Sequence, residues 1–253
     1  LKTYLHHIWT YKPKTVKRKL ASLKALFNYY DFEHDDFLNP FRKLRIRFKE
    51  PYVLPTVMTC NEVKEILKYL YKLRADNPDT GGYAYKAQTR DIAVVELLFA
   101  TGIRVSELCE LSCDAVDLKQ ATIKVFGKGS KERVIQICSV EVLKILRQYQ
   151  RLFAPSKCFF INRLGNRLSS QSVRLLIKRC REEIGIGKKI TPHTFRHTFA
   201  TLLLEEDVDI KYIQNLLGHS SITTTQIYTH VNMNKQKKIL SSKHPRKKME
   251  MEE

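Results

Sequence analysis

Paired cysteines, long apolar runs and acidic residues are what this sequence is short of. No uninterrupted apolar stretch approaches the ~20 residues a membrane-crossing helix needs, and no leader with a basic start and an apolar centre opens the chain. The six cysteines, Cys60, Cys109, Cys113, Cys138, Cys158 and Cys180, contain no Cys-x-x-Cys pair and no zinc-ribbon spacing. A disulfide scaffold is excluded, and most of the thiols read as small reduced core residues in a cytoplasmic protein. Gly127-Lys128-Gly129 lacks the spacing of a nucleotide phosphate loop and the Ser or Thr directly after its lysine. His193 and His197 are spaced like a helical zinc pair, but no Glu follows His193 and Arg196 sits beside them. Internal repeats are absent.

The scarcity of acids has a counterpart. Forty-five Lys and Arg face 26 Asp and Glu across 253 residues, a net charge of +19. That excess strains the folded state by self-repulsion and attracts polyanions. Nucleic acid is favoured over an anionic membrane surface, because no basic amphipathic anchor stands out.

Length and punctuation suggest two domains. Val16, Leu20, Leu23, Leu26, Phe27 and Tyr30 recur at helical spacing over 15–30, with Lys17 and Arg18 among the remaining positions. This small region, 1–50, is followed by a basic, proline-bracketed linker that ends at 51–56 and contains, just ahead of it, Arg45 and Arg47. A larger domain follows, 57–253, with a basic tail from about 232. The chain starts at Leu1 almost directly in helical pattern, so an N-terminal piece is expected to be missing.

In the larger domain Thr59 and Glu62 have capping-box spacing ahead of a helix. Residues 76–88 read as a loop and 90–100 as a helix broken at Gly102, with a short helix from about Val105 to Leu111. Segments 121–126 and 132–137 alternate like strands around a Gly-Lys-Gly-Ser turn, a hairpin signature. Helices are expected at 139–151, 170–183, 192–205 and 209–217, with Ser169 and Thr191 as caps and Gly218 as a stop. The fold class is mainly α with a small antiparallel β-sheet.

Six side chains carry a common chemistry. Arg104 follows a glycine break, where a guanidinium can point into a cleft and fork onto two oxygens of one phosphate. Lys128 sits on the hairpin tip. His193 and Arg196 are three apart on one helix and share a face. His219 comes directly after Gly218, and Tyr228 nine residues later. Fixed cations, a histidine base and a phenol, with no carboxylate pair, suit phosphoryl transfer without a metal.

The order of these stretches, TGIRVSEL (101–108), FGKGSKER (126–133), TPHTFRHTFAT (191–201) and LLGHSSITTTQIYTH (216–230), closely resembles the tyrosine recombinase family, phage-type integrases and their Xer-like relatives. The resemblance runs over roughly 54–231; residues 1–50 are compatible with the family's core-binding domain but short for it. It implies a site-specific recombinase that needs no cofactor and no metal. Tyr228 would be the nucleophile forming a 3′-phosphotyrosyl link, Arg104 and Arg196 would bind the nonbridging oxygens, and His219 would hydrogen-bond the same phosphate. Lys128, rather than its neighbour Lys131, would protonate the leaving 5′-oxygen, and His193 would help deprotonate the tyrosine. Glu107 would support the site through the neighbourhood of Arg104. Lys17, Arg18, Arg45, Arg47, Lys131 and Arg133 are the expected DNA contacts. The partners implied are double-stranded DNA with a specific core site, gripped by a two-domain C-shaped clamp, and three further copies in a homotetramer on synapsed DNA, with a monomer or weak oligomer in its absence. The setting implied is the bacterial cytoplasm, beside the nucleoid, with no membrane. The tail from about 232 would either pack on a neighbouring protomer or touch DNA as a disordered basic arm. Competing readings are a non-catalytic DNA-binding regulator on the same scaffold and a type IB topoisomerase-like activity.

Overall fold

The computed structural model describes residues 2–42, 55–126 and 132–218. The chain divides into two compact units, Leu1–Val53 and Leu54–Glu253.

The first unit holds helices α1 (Lys2–Ile8) and α2 (Pro13–Glu33). Pro13 stands in the first turn of α2, where its missing N–H costs nothing. Ile8, Val16, Leu20 and Phe41 form the core, with Leu5, Leu23 and Phe27 packed on it. Lys17 and Arg18 lie on the exposed side of α2. The turn back to Phe41 is held by Asn39, whose amide donates to Asn28 at 3.0 Å and accepts from the Phe41 N–H at 2.9 Å.

The second unit begins with α3 (Cys60–Ala75), whose Thr59–Glu62 capping box is present as the spacing predicts. Its central helix is α4 (Tyr83–Thr101), in which Ile92, Ala93, Val94, Val95, Leu97 and Leu98 are all fully buried. A helix apolar on every side belongs at the middle of a domain, and α4 packs against α3, α6, α7 and α8. It starts seven residues ahead of the 90–100 reading, so part of the expected 76–88 loop is helix. Asp79 accepts from the Gly81 and Gly82 N–H groups and turns the chain into this extra length. The polar run Tyr83–Thr89 hides it, because no apolar stripe marks the partly exposed first turns.

Helix α5 (Val105–Glu110) leads through a short 3₁₀ turn to a three-stranded antiparallel sheet, β1 (Val116–Asp117), β2 (Thr122–Phe126) and β3 (Glu132–Gln136), in the order β1-β2-β3. Strand β1 has two residues, too few for any alternation to show. Ile123 pairs with Ile135 and Val125 with Arg133. Ile123, Val125 and Ile135 face the core, while Phe126 and Val134 face out. Helices α6 (Val140–Phe153) and α7 (Ser170–Ile184) bury Val142, Ile145, Leu146, Tyr149 and Val173, Leu176, Ile177, Cys180, each at i, i+3, i+4, i+7. Each of the Val, Leu and Ile burials among these contributes roughly 1.5–3 kcal/mol against exposure. Helices α8 (Pro192–Glu205) and α9 (Ile210–Leu217) close the unit, with a smaller core of Ala200, Ile213 and Leu217 between them.

The cysteines correct one expectation. Cys109 and Cys180 are buried, and burial pushes the Cys180 thiol up to about 12. Cys60 and Cys138, however, are exposed rather than core residues.

Candidate active site

Two left-handed glycines set the geometry. Gly102 (φ 59°) stops α4 and turns the chain so that Arg104 precedes α5; Gly218 (φ 65°) stops α9. Between them lies a cluster of three guanidiniums and one carboxylate.

Glu107, in the first turn of α5, reaches back to accept from the Arg104 N–H at 2.8 Å and from Arg104 Nη1 at 2.7 Å. Arg133 grips the same carboxylate from β3 with two parallel bonds, Nη1 to Oε1 at 3.0 Å and Nη2 to Oε2 at 2.8 Å. The Glu107 side chain is only 4% exposed. Burial alone would push its carboxyl up, but hydrogen bonds and charge from Arg133 and Arg104 outweigh this and hold it below the usual carboxylate range.

Arg196, on α8, is buried. Its Nη1 donates to the Gly102 carbonyl at 2.8 Å and its Nη2 to the Leu217 carbonyl at 2.6 Å. Arg104 Nη2 donates to the Gly218 carbonyl at 3.1 Å, and Arg133 Nε to the Leu216 carbonyl at 3.1 Å. Three arginines from three different segments therefore hold the three consecutive carbonyls of Leu216, Leu217 and Gly218 at the end of α9. Those oxygens have no partners within the helix and carry its negative dipole end, so cations are the natural cap.

His193 sits in the first turn of α8, fixed by a reciprocal Thr191–Thr194 cap. Burial, then the charges of Arg196, Arg174 and Arg104, pull its imidazole below its ordinary value, which favours the neutral, proton-accepting form. His193 borders a shallow groove of about 210 Å³ with Pro55, Thr56, Lys189, Thr191, Thr194 and His197. The approach to α8 is tied down from α3: Lys188 Nζ donates to Glu62 at 2.6 Å and to the Val57 carbonyl at 2.7 Å, and the Met58 N–H donates to Thr198 at 2.8 Å.

The structure thus brings Arg104, Glu107, His193 and Arg196 together. Lys128, Lys131, His219, Tyr228, Arg45 and Arg47 lie outside the described residues; His219 directly follows Gly218 in the chain. Arg133, expected to face DNA, has its guanidinium turned inward onto Glu107 and Leu216. The sign was in the alternation: Arg133, Ile135 and Ile137 are at period two, on the core side of β3. Arg174, on the exposed side of α7 near His193, carries no sequence signal that sets it apart. Among the described residues no group of three His, Cys, Asp or Glu is placed to hold a metal ion.

Residues 56–235 match the model of the phage integrase family. A tyrosine recombinase of Agathobacter rectalis is 50% identical over 241 residues, covering 94% of this chain and 78% of that protein. Tyrosine recombinase XerC of Thermodesulfovibrio yellowstonii is 38% identical, over 91% of this chain and 76% of its own length. Among solved structures, XerA recombinase superposes with a TM-score of 0.63 at 28% identity, covering 96% of this chain and 82% of that one. XerH site-specific recombinase, bound to palindromic difH substrate in a post-cleavage complex, shares the fold with a TM-score of 0.79 at 23% identity, over 95% and 70% of the two chains. A helical body with one small antiparallel sheet, a cluster of arginines at the end of α9, a family match over most of the chain and a half-identical relative lead to one conclusion: the chain belongs to the phage integrase family of tyrosine recombinases and is a site-specific DNA recombinase.

Proposed function

We propose that the chain cuts and rejoins duplex DNA at a specific core site by transesterification through Tyr228, without a metal ion. The Tyr228 phenolic oxygen attacks the scissile phosphorus while its proton passes to His193. The bond from phosphorus to the 5′-oxygen breaks, Lys128 protonates that oxygen, and a 3′-phosphotyrosyl link remains. The phosphoester energy is conserved in that link, so rejoining needs no nucleotide. Arg104 and Arg196 bind the nonbridging oxygens, and His219 adds a hydrogen bond to the same phosphate. Lys17, Arg18, Arg45, Arg47 and Lys131 contact the duplex backbone, and four copies act on two synapsed duplexes. The core-binding role falls to residues 1–50, and the working place is the bacterial cytoplasm, next to the nucleoid.

One observation carries this reading: Arg104 and Arg196, 92 positions apart in sequence, are fixed to the carbonyls of Gly218 and Leu217, the two residues before His219. Glu107 and Gly218 occupy two of the five N–H donors of Arg104, which leaves others for a phosphate. An unperturbed phenol ionises near ~10, so such a cationic surround is what makes attack at neutral pH feasible. Mixing the chain with a nicked suicide substrate tests the proposal. The expected product is a covalent protein–DNA adduct that forms in EDTA and is lost in Tyr228→Phe. Cleavage that survives Tyr228→Phe, or that needs a divalent ion, refutes it.

A further inference from the structure

Arg133 is spent almost wholly inside the protein. All three guanidinium nitrogens are engaged: Nη1 and Nη2 on Glu107, Nε on the Leu216 carbonyl. Its side chain is 12% exposed. It also lies directly across Gly218, where an added Cβ would come within 2.9 Å of Arg133 Nη1 and 3.2 Å of its Cδ. The left-handed turn at Gly218 and the path of this one side chain are fitted to each other.

The consequence is a mechanical link between three segments remote in sequence. Arg133 stands on β3, two residues after Lys131 and on the strand that leaves the Lys128 loop. Through Glu107 it reaches the carboxylate that fixes both the backbone N–H and the guanidinium of Arg104. Through Leu216 and Gly218 it reaches the last turn of α9, from which the chain runs on into His219.

We infer that Arg133 is a positioning residue for strand transfer, not a DNA contact: it aligns the Lys128 hairpin, Arg104 and the α9 end that precedes His219 into one site. This inference rests on the Tyr228 chemistry proposed above. A lysine cannot replace Arg133, because one ammonium cannot span both Glu107 oxygens and the Leu216 carbonyl.

The test is single-turnover adduct formation on a suicide substrate at saturating DNA, with Kd measured in parallel across a salt series, for the parent chain, Arg133→Lys, Glu107→Gln and the double variant. Substituting a residue that orients a metal ligand typically costs about 10- to 100-fold, and the same scale is expected for Arg133, which orients Glu107. Arg133→Lys is expected to slow adduct formation by that factor while Kd and its salt slope stay at parent values. The double variant should be scarcely slower than the slower single one, because both break one link. Thermal unfolding of each variant separates misalignment from loss of fold. Should Arg133→Lys unfold, Glu107→Gln, which keeps the shape of the carboxylate, carries the same expectation.

A parent-like rate in Arg133→Lys or in folded Glu107→Gln overturns the inference. So does weaker DNA binding with the salt slope reduced by about 0.9, the mark of one lost phosphate contact. A parent chain that binds DNA but never forms an adduct is a different failure, one that removes the Tyr228 chemistry itself and this inference with it.

Discussion

The Arg196 guanidinium donates to the carbonyl of Gly102 at 2.8 Å, so the helix carrying His193 is bonded directly to the left-handed break that precedes Arg104. The two arginine motifs are thereby held in one frame before any phosphate arrives, and little reorganisation is left for the reaction itself.

Arg196 and Arg104 should respond differently to substitution. Arg196 is buried and satisfies the carbonyls of Gly102 and Leu217. Arg196→Ala is expected to lose adduct formation by at least about 100-fold and also to destabilise the fold by about 1–3 kcal/mol for each carbonyl left unpaired. The Arg104 side chain is 30% exposed, so Arg104→Lys should lose a similar factor in rate with a much smaller change in urea midpoint. Single-turnover kinetics beside urea denaturation separates the two.

Gly102→Ala should be among the more damaging single-methyl changes in the chain. A Cβ there meets Phe199 at 2.5 Å and Leu217 at 3.0 Å, on a backbone at φ 59°. The left-handed conformation costs about 1–2 kcal/mol and overpacking roughly 1–3 more. A loss of about 2–5 kcal/mol in chemical denaturation is the expected result, and an unchanged midpoint would show that the packing around α4 and α8 yields more easily than the geometry indicates.

Stability should fall as the medium turns acidic through the histidine range. Burial, then the charges of His193 and Arg196, depress His197 to about 4. The unfolded chain therefore binds this proton first, near pH ~6.5, so the contribution is fully present above that value and is lost as pH falls toward 4. Tm measured from pH 7.5 to 4.5 should decline, and more steeply than in His197→Gln. Equal slopes in the two proteins would remove His197 as the source.

Adduct formation should keep its rate somewhat below the pH at which an ordinary histidine protonates. His193 is pulled down by burial and by Arg196, Arg174 and Arg104, and the rate is expected to drop only once this imidazole gains its proton. In Arg174→Gln one of those charges is gone, and the acid limb of the pH–rate profile should move up. A limb that stays put would mean that Arg174 does not act on His193.

Tyr149→Phe should cost about 1–3 kcal/mol with no change in Kd for DNA. The Tyr149 hydroxyl donates to the Phe159 carbonyl at 2.8 Å and accepts from the Ile161 N–H at 3.0 Å, within a fully buried aromatic cluster far in sequence from the arginine motifs. Urea denaturation and a band-shift titration check both halves.

Much of this molecule is local, and what is local can be read directly. Thr59 with Glu62, Ser169, Thr191 with Pro192, and the two glycines at 102 and 218 mark helix ends because capping and left-handed φ depend on residues within one turn. The stripes of α6 and α7 and the hairpin pair Ile123–Ile135 follow from periods of 3.6 and 2. Phosphate-binding chemistry picked out Arg104, His193 and Arg196 from the sequence, and the family resemblance added Glu107 as their support. The sequence alone was less informative where local pattern is thin: the polar first turns of α4, the two-residue β1, and the exposed positions of Cys60 and Cys138. What only the tertiary structure decided is where each arginine spends its donors. The alternation of β3 puts Arg133 on the core side, but the groups it meets there, Glu107 and the Leu216 carbonyl, are 26 and 83 residues away. Long-range pairing of this kind is set by which groups the packed helices leave unsatisfied, and no stretch of neighbouring residues encodes that.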